Sequence, residues 1–162
     1  MKKIKNNFIP QSGFSLIEAV IAIAIITIIL VSMVAVFQTM IIFEKKTIKT
    51  RQATMLADQA IEVAKSLRDD AWSNIADLTI GQNYYLNFDD VDWSIGSIES
   101  TVNGFTQTVT AETAYRDNDG KIAETGTADD STRLIVVDVS WLYASATSTV
   151  TTKTYLTDLF SE

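Results

Sequence analysis

The chain has 162 residues, 47% of them hydrophobic and 20% charged, which is enough for one modest domain and one extra segment but not for two packed domains. Thirteen Lys and Arg against 20 Asp and Glu leave a formal net charge of −7; this lacks the basic excess that drives general attraction to phosphate backbones, so no nucleic-acid partner is expected. The sequence contains no His and no Cys, which removes the usual zinc ligands, the thiol nucleophile, the imidazole base and any disulfide.

Residues 1–13, MKKIKNNFIPQSG, form a short cap with Lys2, Lys3 and Lys5 and no acid. From Ala19 to Phe43 nothing is charged, and only Thr27, Ser32, Gln38 and Thr39 interrupt a series of Ile, Val, Ala, Leu, Met and Phe. As a helix these 25 residues extend about 38 Å at ~1.5 Å per residue, more than a hydrocarbon core of roughly 30 Å. Lysines ahead of the run hold that end in the cytoplasm and send the rest of the chain outward. A cleaved secretory signal does not fit, because the run exceeds the ~7–15 residues of such signals and no small-x-small site follows it. A permanent signal anchor fits the length and the flanks but leaves Glu18 unexplained.

Glu18 stands one residue before the uncharged run and four residues beyond Phe14. A carboxylate at that depth is costly without a partner. Cleavage between Gly13 and Phe14 would supply one, the new α-amino group of Phe14. That group would lie about one helical turn away in the same chain, or would come from a neighbouring chain after an axial shift. Such a pair is strongly coupled in low dielectric, and losing one partner typically costs ~3–5 kcal/mol. It would therefore act as a registration device. Gly13 suits the cut because a residue without Cβ lets a protease approach the backbone.

Residues 13–26, GFSLIEAVIAIAII, resemble the class III prepilin signal of type IV pilins and type II secretion pseudopilins. The elements are a basic leader ending in Gly13, the aromatic Phe14, apolar Leu16 and Ile17, and Glu18 at the fifth position after the cut. The resemblance implies cleavage after Gly13 by a prepilin peptidase, N-methylation of Phe14, and neutralisation of a neighbouring subunit's Phe14 amine by Glu18. It also implies a single pass of the inner membrane before assembly, an inner-membrane assembly platform, other pilin subunits as partners, and a filament outside the cell afterwards. Many pilins kink this helix with a proline; here Ala35 stands in that neighbourhood and the sole proline is Pro10. Local melting of the helix on assembly is therefore not implied, and the C-terminal disulfide of many relatives cannot form. Removal of 13 from 162 residues leaves 149, with 10 basic and 20 acidic side chains and a formal −10.

Residues 44–70 continue as an amphipathic helix with Ile48, Met55, Leu56, Val63 and Leu67, and Ala60 and Ala64 between them, on the packed side. Residues 71–104 read as a loop-rich αβ segment with aromatic anchors, a helical turn near 70–78 and a strand near 84–88. Phe105 to Tyr115 alternates as a strand, with Phe105, Val109, Ala111 and Tyr115 on one face. Leu134 to Tyr143 and Thr147 to Thr157 are two further strands, joined through Ala144-Ser145-Ala146. The expected fold is thus α+β: a long hydrophobic helical stem, the pilin lollipop, with a small antiparallel sheet packed on the C-terminal half of the helix. The expected divisions are a leader at 1–13, a transmembrane and filament-core helix at 14–43, the amphipathic helix at 44–70, the αβ loop at 71–104, and the sheet at 105–162.

Asp117-Asn118-Asp119-Gly120 begins like a calcium loop, with oxygen ligands at alternating positions and Gly at the sharp turn. Position twelve is Ala128 rather than a bidentate Glu, followed by Asp129 and Asp130. Asp117, Asp119, Asp129 and Asp130 are the candidate metal ligands, with calcium the one cofactor considered; a Gly-containing turn with acidic tips is the competing reading. Asp89, Asp90 and Asp92 read as a solvated turn. The functional expectation is a structural filament subunit, with the run TRLIVVDVSW and the later TKTYLT similar to minor pilins. The alternatives are a type II secretion pseudopilin and a non-polymerising single-pass protein with an extracytoplasmic binding domain. An enzyme is not expected, because no motif fixes any two acids together.

Overall fold

A computed structural model describes residues 13, 15–88, 92–143 and 145–159. The chain divides into two compact units, Met1–Lys45 and Lys46–Glu162. One helix, α1 (Leu16–Asp70, 55 residues), runs through the apolar segment and on into the second unit. No proline falls within it, so no backbone donor is missing along its length.

In the first unit, every large apolar side chain from Leu16 to Phe43 is 52–86% exposed. Full burial of one such side chain is worth about 1.5–3 kcal/mol, so this surface is built for a non-aqueous neighbour. The helix is long and apolar enough to cross a membrane, with a mean hydropathy of 3.1 over its most apolar window.

In the second unit, α1 packs on an antiparallel sheet. Its strands are β1 (Asn83–Phe88), β2 (Trp93–Gly96), β3 (Thr101–Val102), β4 (Phe105–Arg116), β5 (Ile122–Ala123), β6 (Thr127–Tyr143) and β7 (Ala146–Thr157). The order is β2-β1-β4-β6-β7, with β3 and β5 also pairing with β4. A short helix, α2 (Ser73–Ala76), follows α1 and buries Ile75. Asn74 Nδ2 donates to the Leu67 carbonyl at 2.9 Å, a second donor beside the Ala71 N–H at 3.2 Å, and so ties α2 to the last turn of α1.

The helix face against the sheet is made chiefly of small residues: Ala53, Ala57, Ala60 and Ala64 are fully buried, with Ile61 and Val63 beside them. They meet Phe105, Val109 and Ala111 of β4 and Ile135, Val137, Val139 and Trp141 of β6 in one apolar core. Alanine lets the helix axis approach the sheet closely, and the larger strand side chains fill the space. Two residues expected on the packed face, Ile48 and Met55, are 50% and 66% exposed. Their three- and four-residue spacing to the other apolar residues is helical, but the alanines take the innermost line.

β4 follows the expected alternation from Phe105 to Ala111, then departs from it. A register shift at Thr113/Ala114 puts Ala114 inside and leaves Tyr115, expected on the core face, 36% exposed. A bulge of this kind flips every later side chain to the other side of the strand. Between β6 and β7, Tyr143 pairs with Ala146, so Ala146 belongs to the strand. Ser145 has φ 68°, and Ala144 lies outside the described residues. The segment expected as the αβ loop contributes β1, β2 and β3 to the sheet.

Two contacts join the start of β4 to α1. Gln107, buried, donates from Nε2 to the Leu56 carbonyl at 3.3 Å, and Lys49 Nζ lies 4.7 Å from the Phe105 ring centroid. Phe105 in turn packs on Trp141, with ring centroids 5.7 Å apart.

Candidate functional site

The helix begins where the Ser15 carbonyl accepts from the N–H groups of Glu18 at 3.0 Å and Ala19 at 3.1 Å. Glu18 therefore sits in the first turn of α1, where a carboxylate is favoured by the helix dipole by about 0.3–1 kcal/mol. That contribution is small beside the cost of a charge in hydrocarbon, so the dipole alone does not account for an acid here. Gly13 is exposed, and a Cβ built on it meets nothing within 4 Å. Packing within the described chain thus gives no reason for glycine at this position. Phe14 and the leader lysines Lys2, Lys3 and Lys5 lie outside the described residues.

The hydroxyls within the apolar run are satisfied by the helix itself. Thr27 donates to the Ile23 carbonyl at 2.8 Å, Ser32 to Ile28 at 2.8 Å and Thr39 to Ala35 at 3.0 Å. With their donors occupied, these residues enter lipid or a packed helix bundle without a free hydroxyl proton.

The four acids considered as metal ligands have separate duties. Asp117 Oδ1 accepts from the N–H groups of Asp119 and Lys121, both at 2.9 Å, and closes the turn at Gly120, whose φ is 77°. Asp129 Oδ2 accepts from Arg116 Nε at 2.6 Å and from the Thr132 hydroxyl at 2.7 Å, and Asp129 Oδ1 accepts from Ser131 N–H at 3.0 Å. The Thr132 hydroxyl and then the Arg116 guanidinium hold the Asp129 carboxyl below its ordinary value, with partial burial opposing them. Asp119 faces Lys121 at 4.0 Å, and the Asp130 carbonyl accepts from Arg133. Among the described residues no group of three or more Asp or Glu is gathered to hold a metal ion. Asp89 and Asp90 lie outside the described residues.

Arg116 also donates to the Gly120 carbonyl at 2.8 Å, so one guanidinium ties the turn to β6. Gly126 closes the loop: its φ is 153°, and a Cβ there would come within 2.1 Å of the Arg116 carbonyl oxygen, so no other residue fits without moving the backbone.

A feature that hydropathy patterning passed over lies just beyond the apolar run. Lys45, Lys46, Lys49 and Arg51 fall within seven residues, and among the described residues none of them has an ion-pair partner. Lys49 borders a groove of about 520 Å³ lined also by Gln52, Met55, Leu56, Asn103 and Phe105. The signal was present as a local excess of positive charge ahead of a predominantly acidic remainder, residues 52–162.

Residues 10–34 match the prokaryotic N-terminal methylation motif. Comparison with curated proteins and with solved structures found no match. The motif implies processing by a prepilin peptidase and assembly with pilins, and the proteins that bear it are structural rather than catalytic. The N-terminal helix is a membrane anchor, and the family implies an inner-membrane stage followed by a surface filament. Below this motif the chain has the pilin-like arrangement of a long apolar helix followed by an antiparallel sheet packed on it. The chain therefore carries, over residues 10–34, the class III prepilin signal that marks type IV pilins and pseudopilins.

Proposed function

We propose that this chain is a prepilin whose mature form is a structural subunit of a type IV pilus or related filament. A prepilin peptidase removes residues 1–13 by cutting between Gly13 and Phe14, and Phe14 is N-methylated. Residues 14–43 serve first as the membrane span and then as filament core, residues 44–70 carry the sheet unit, and the sheet draws its strands from β1 through β7, the 71–104 segment supplying β1, β2 and β3. An inner-membrane platform moves the subunit from the bilayer into the filament. The observation that carries this reading is a wholly exposed apolar helix with a single acid, Glu18, in its first turn. An ordinary anchor needs the apolar surface but has no use for the acid. A filament core needs both, because each arriving α-amino group must be neutralised as it leaves water.

The test is intact-mass and N-terminal analysis of protein extracted from membranes and from sheared filaments. The expected product has 149 residues, 162 less the 13 of the leader, and begins with methylated Phe14. Filament material that still begins at Met1 would refute the assignment.

A further inference from the structure

The C-terminal unit carries an excess of opposite charge at its two ends, with Glu99, beside Thr106, an acid at the basic end. At one end are Lys46, Lys49 and Arg51 on α1, and the cation–π contact of Lys49 with Phe105 fixes this as the end where β4 starts. β4 then runs 12 residues to Arg116, a span of roughly 36 Å at ~3.3 Å per residue. At that far end the loop 117–130 exposes Asp117, Asp119, Glu124 and Asp130, while its base Arg116 is engaged by Asp129. The same loop exposes Ile122 to 41%. The groove at the basic end is walled by Met55, Leu56 and Phe105, so it presents an apolar floor beside positive charge. The loop presents an apolar side chain between Lys121 and Ala123 within a segment where Asp117, Asp119, Glu124, Asp129 and Asp130 outnumber Lys121, so its net charge is the complement of the groove's.

We propose that the groove at Lys49 is the docking site for the acidic loop 117–130 of a second copy of this chain, with Ile122 entering the groove and Asp119 and Glu124 meeting Lys46, Lys49 and Arg51. The two surfaces are different patches on opposite ends of one unit. The contact is therefore heterologous, and repeating it yields an open filament rather than a closed dimer. Each step translates the unit by about its own length along β4. This interface rests on the filament reading above and adds to it the surface through which the folded units touch, apart from the apolar helix.

The absence of native cysteine makes the test clean. The full-length Lys49→Cys/Ile122→Cys variant is expressed with its peptidase and assembly machinery, filaments are sheared and oxidised, and products are resolved without reductant. The expected result is a ladder of dimers, trimers and higher multimers, absent from a Thr108→Cys/Ile122→Cys control. Separately, Asp119→Lys/Glu124→Lys should lower filament yield on the order of tenfold, and adding Lys46→Glu/Arg51→Glu should restore part of it. Processed filaments that give no ladder, with charge reversal leaving yield unchanged, overturn the interface alone and leave the basic residues to lipid headgroups. A chain recovered only with its leader, and never in filaments, overturns the filament reading and the interface with it.

Discussion

At the scale of single residues, charge placement dominates. Glu18 stands in an apolar helix where a lone carboxylate costs several kcal/mol, and the proposed answer is the α-amino group of Phe14. If that pair is worth ~3–5 kcal/mol, Glu18→Ala should cut incorporation into filaments about a hundredfold or more while leaving membrane insertion intact. Immunoblots of sheared filaments against membranes read this directly, and an unchanged filament share would remove the pairing role. Asp129 is a different case, a carboxylate whose partners are all within the chain. Its carboxyl is held low by Thr132 and Arg116, so the folded state prefers the charged form. The stability it contributes is present above the ordinary carboxyl value of 3.8 and is lost as pH falls through the lower value of the folded state. Arg116 is 38% exposed, which weakens the ion pair by solvent screening. Asp129→Asn should therefore cost about 1–2 kcal/mol at neutral pH. The loss should shrink below about pH 4, as thermal unfolding of the detergent-solubilised chain at pH 7 and pH 3.5 would reveal.

At the scale of elements, α1 meets two solvents with two kinds of surface. Its first part is apolar all round, and its second is amphipathic, with a line of alanines joined by Ile61 and Val63 under the sheet. Ala57 has no exposed surface and faces larger strand side chains, so Ala57→Leu should destabilise the sheet unit by about 1–3 kcal/mol through overpacking. Met55→Ala, on an exposed position, should stay within about 0.5 kcal/mol. Chemical denaturation followed by Trp fluorescence separates the two outcomes. The contrast explains what patterning could read. The apolar run, the acid at Glu18 and the alternation of β4 are written in residue type at fixed spacing, so helix, span and central strands were legible. The alanine face was only half legible, because a hydropathy stripe weights Ile48 and Met55 above Ala53 and Ala57. Tyr115 was misplaced because a bulge depends on the pairing of β4 with β6, which no single segment records. β2 and β3 are four and two residues long, too short to carry a period. Asp117 closes its own turn through the N–H groups of Asp119 and Lys121, as the acidic Gly turn read from the sequence allows, whereas the ion pair of Asp129 with Arg116 arises only when β4 and β6 pair.

At the scale of the whole molecule, assembly sets a short-range attraction against a long-range repulsion. The chain left by the proposed cut after Gly13 would bear a formal −10, so like units would repel at distances up to the screening length. That length is about 30 Å at 0.01 M salt, 8 Å at 0.15 M and 3 Å at 1 M. Burial of the apolar helix acts only on contact and does not weaken with salt. The opposed charges at Lys46, Lys49 and Arg51 and at loop 117–130 also act at close range, where they are screened less than the net charge. Filament recovery, measured by sedimentation after dialysis, should therefore be lowest at 0.01 M, rise by 0.15 M as net repulsion is screened, and change little up to 1 M. Divalent cations at millimolar concentration should reproduce the rise at lower ionic strength, because they neutralise as well as screen. A steady fall in recovery from 0.01 M upward would instead mean that attraction between oppositely charged ends outweighs the net repulsion, and that the apolar helix is not the main cohesive element.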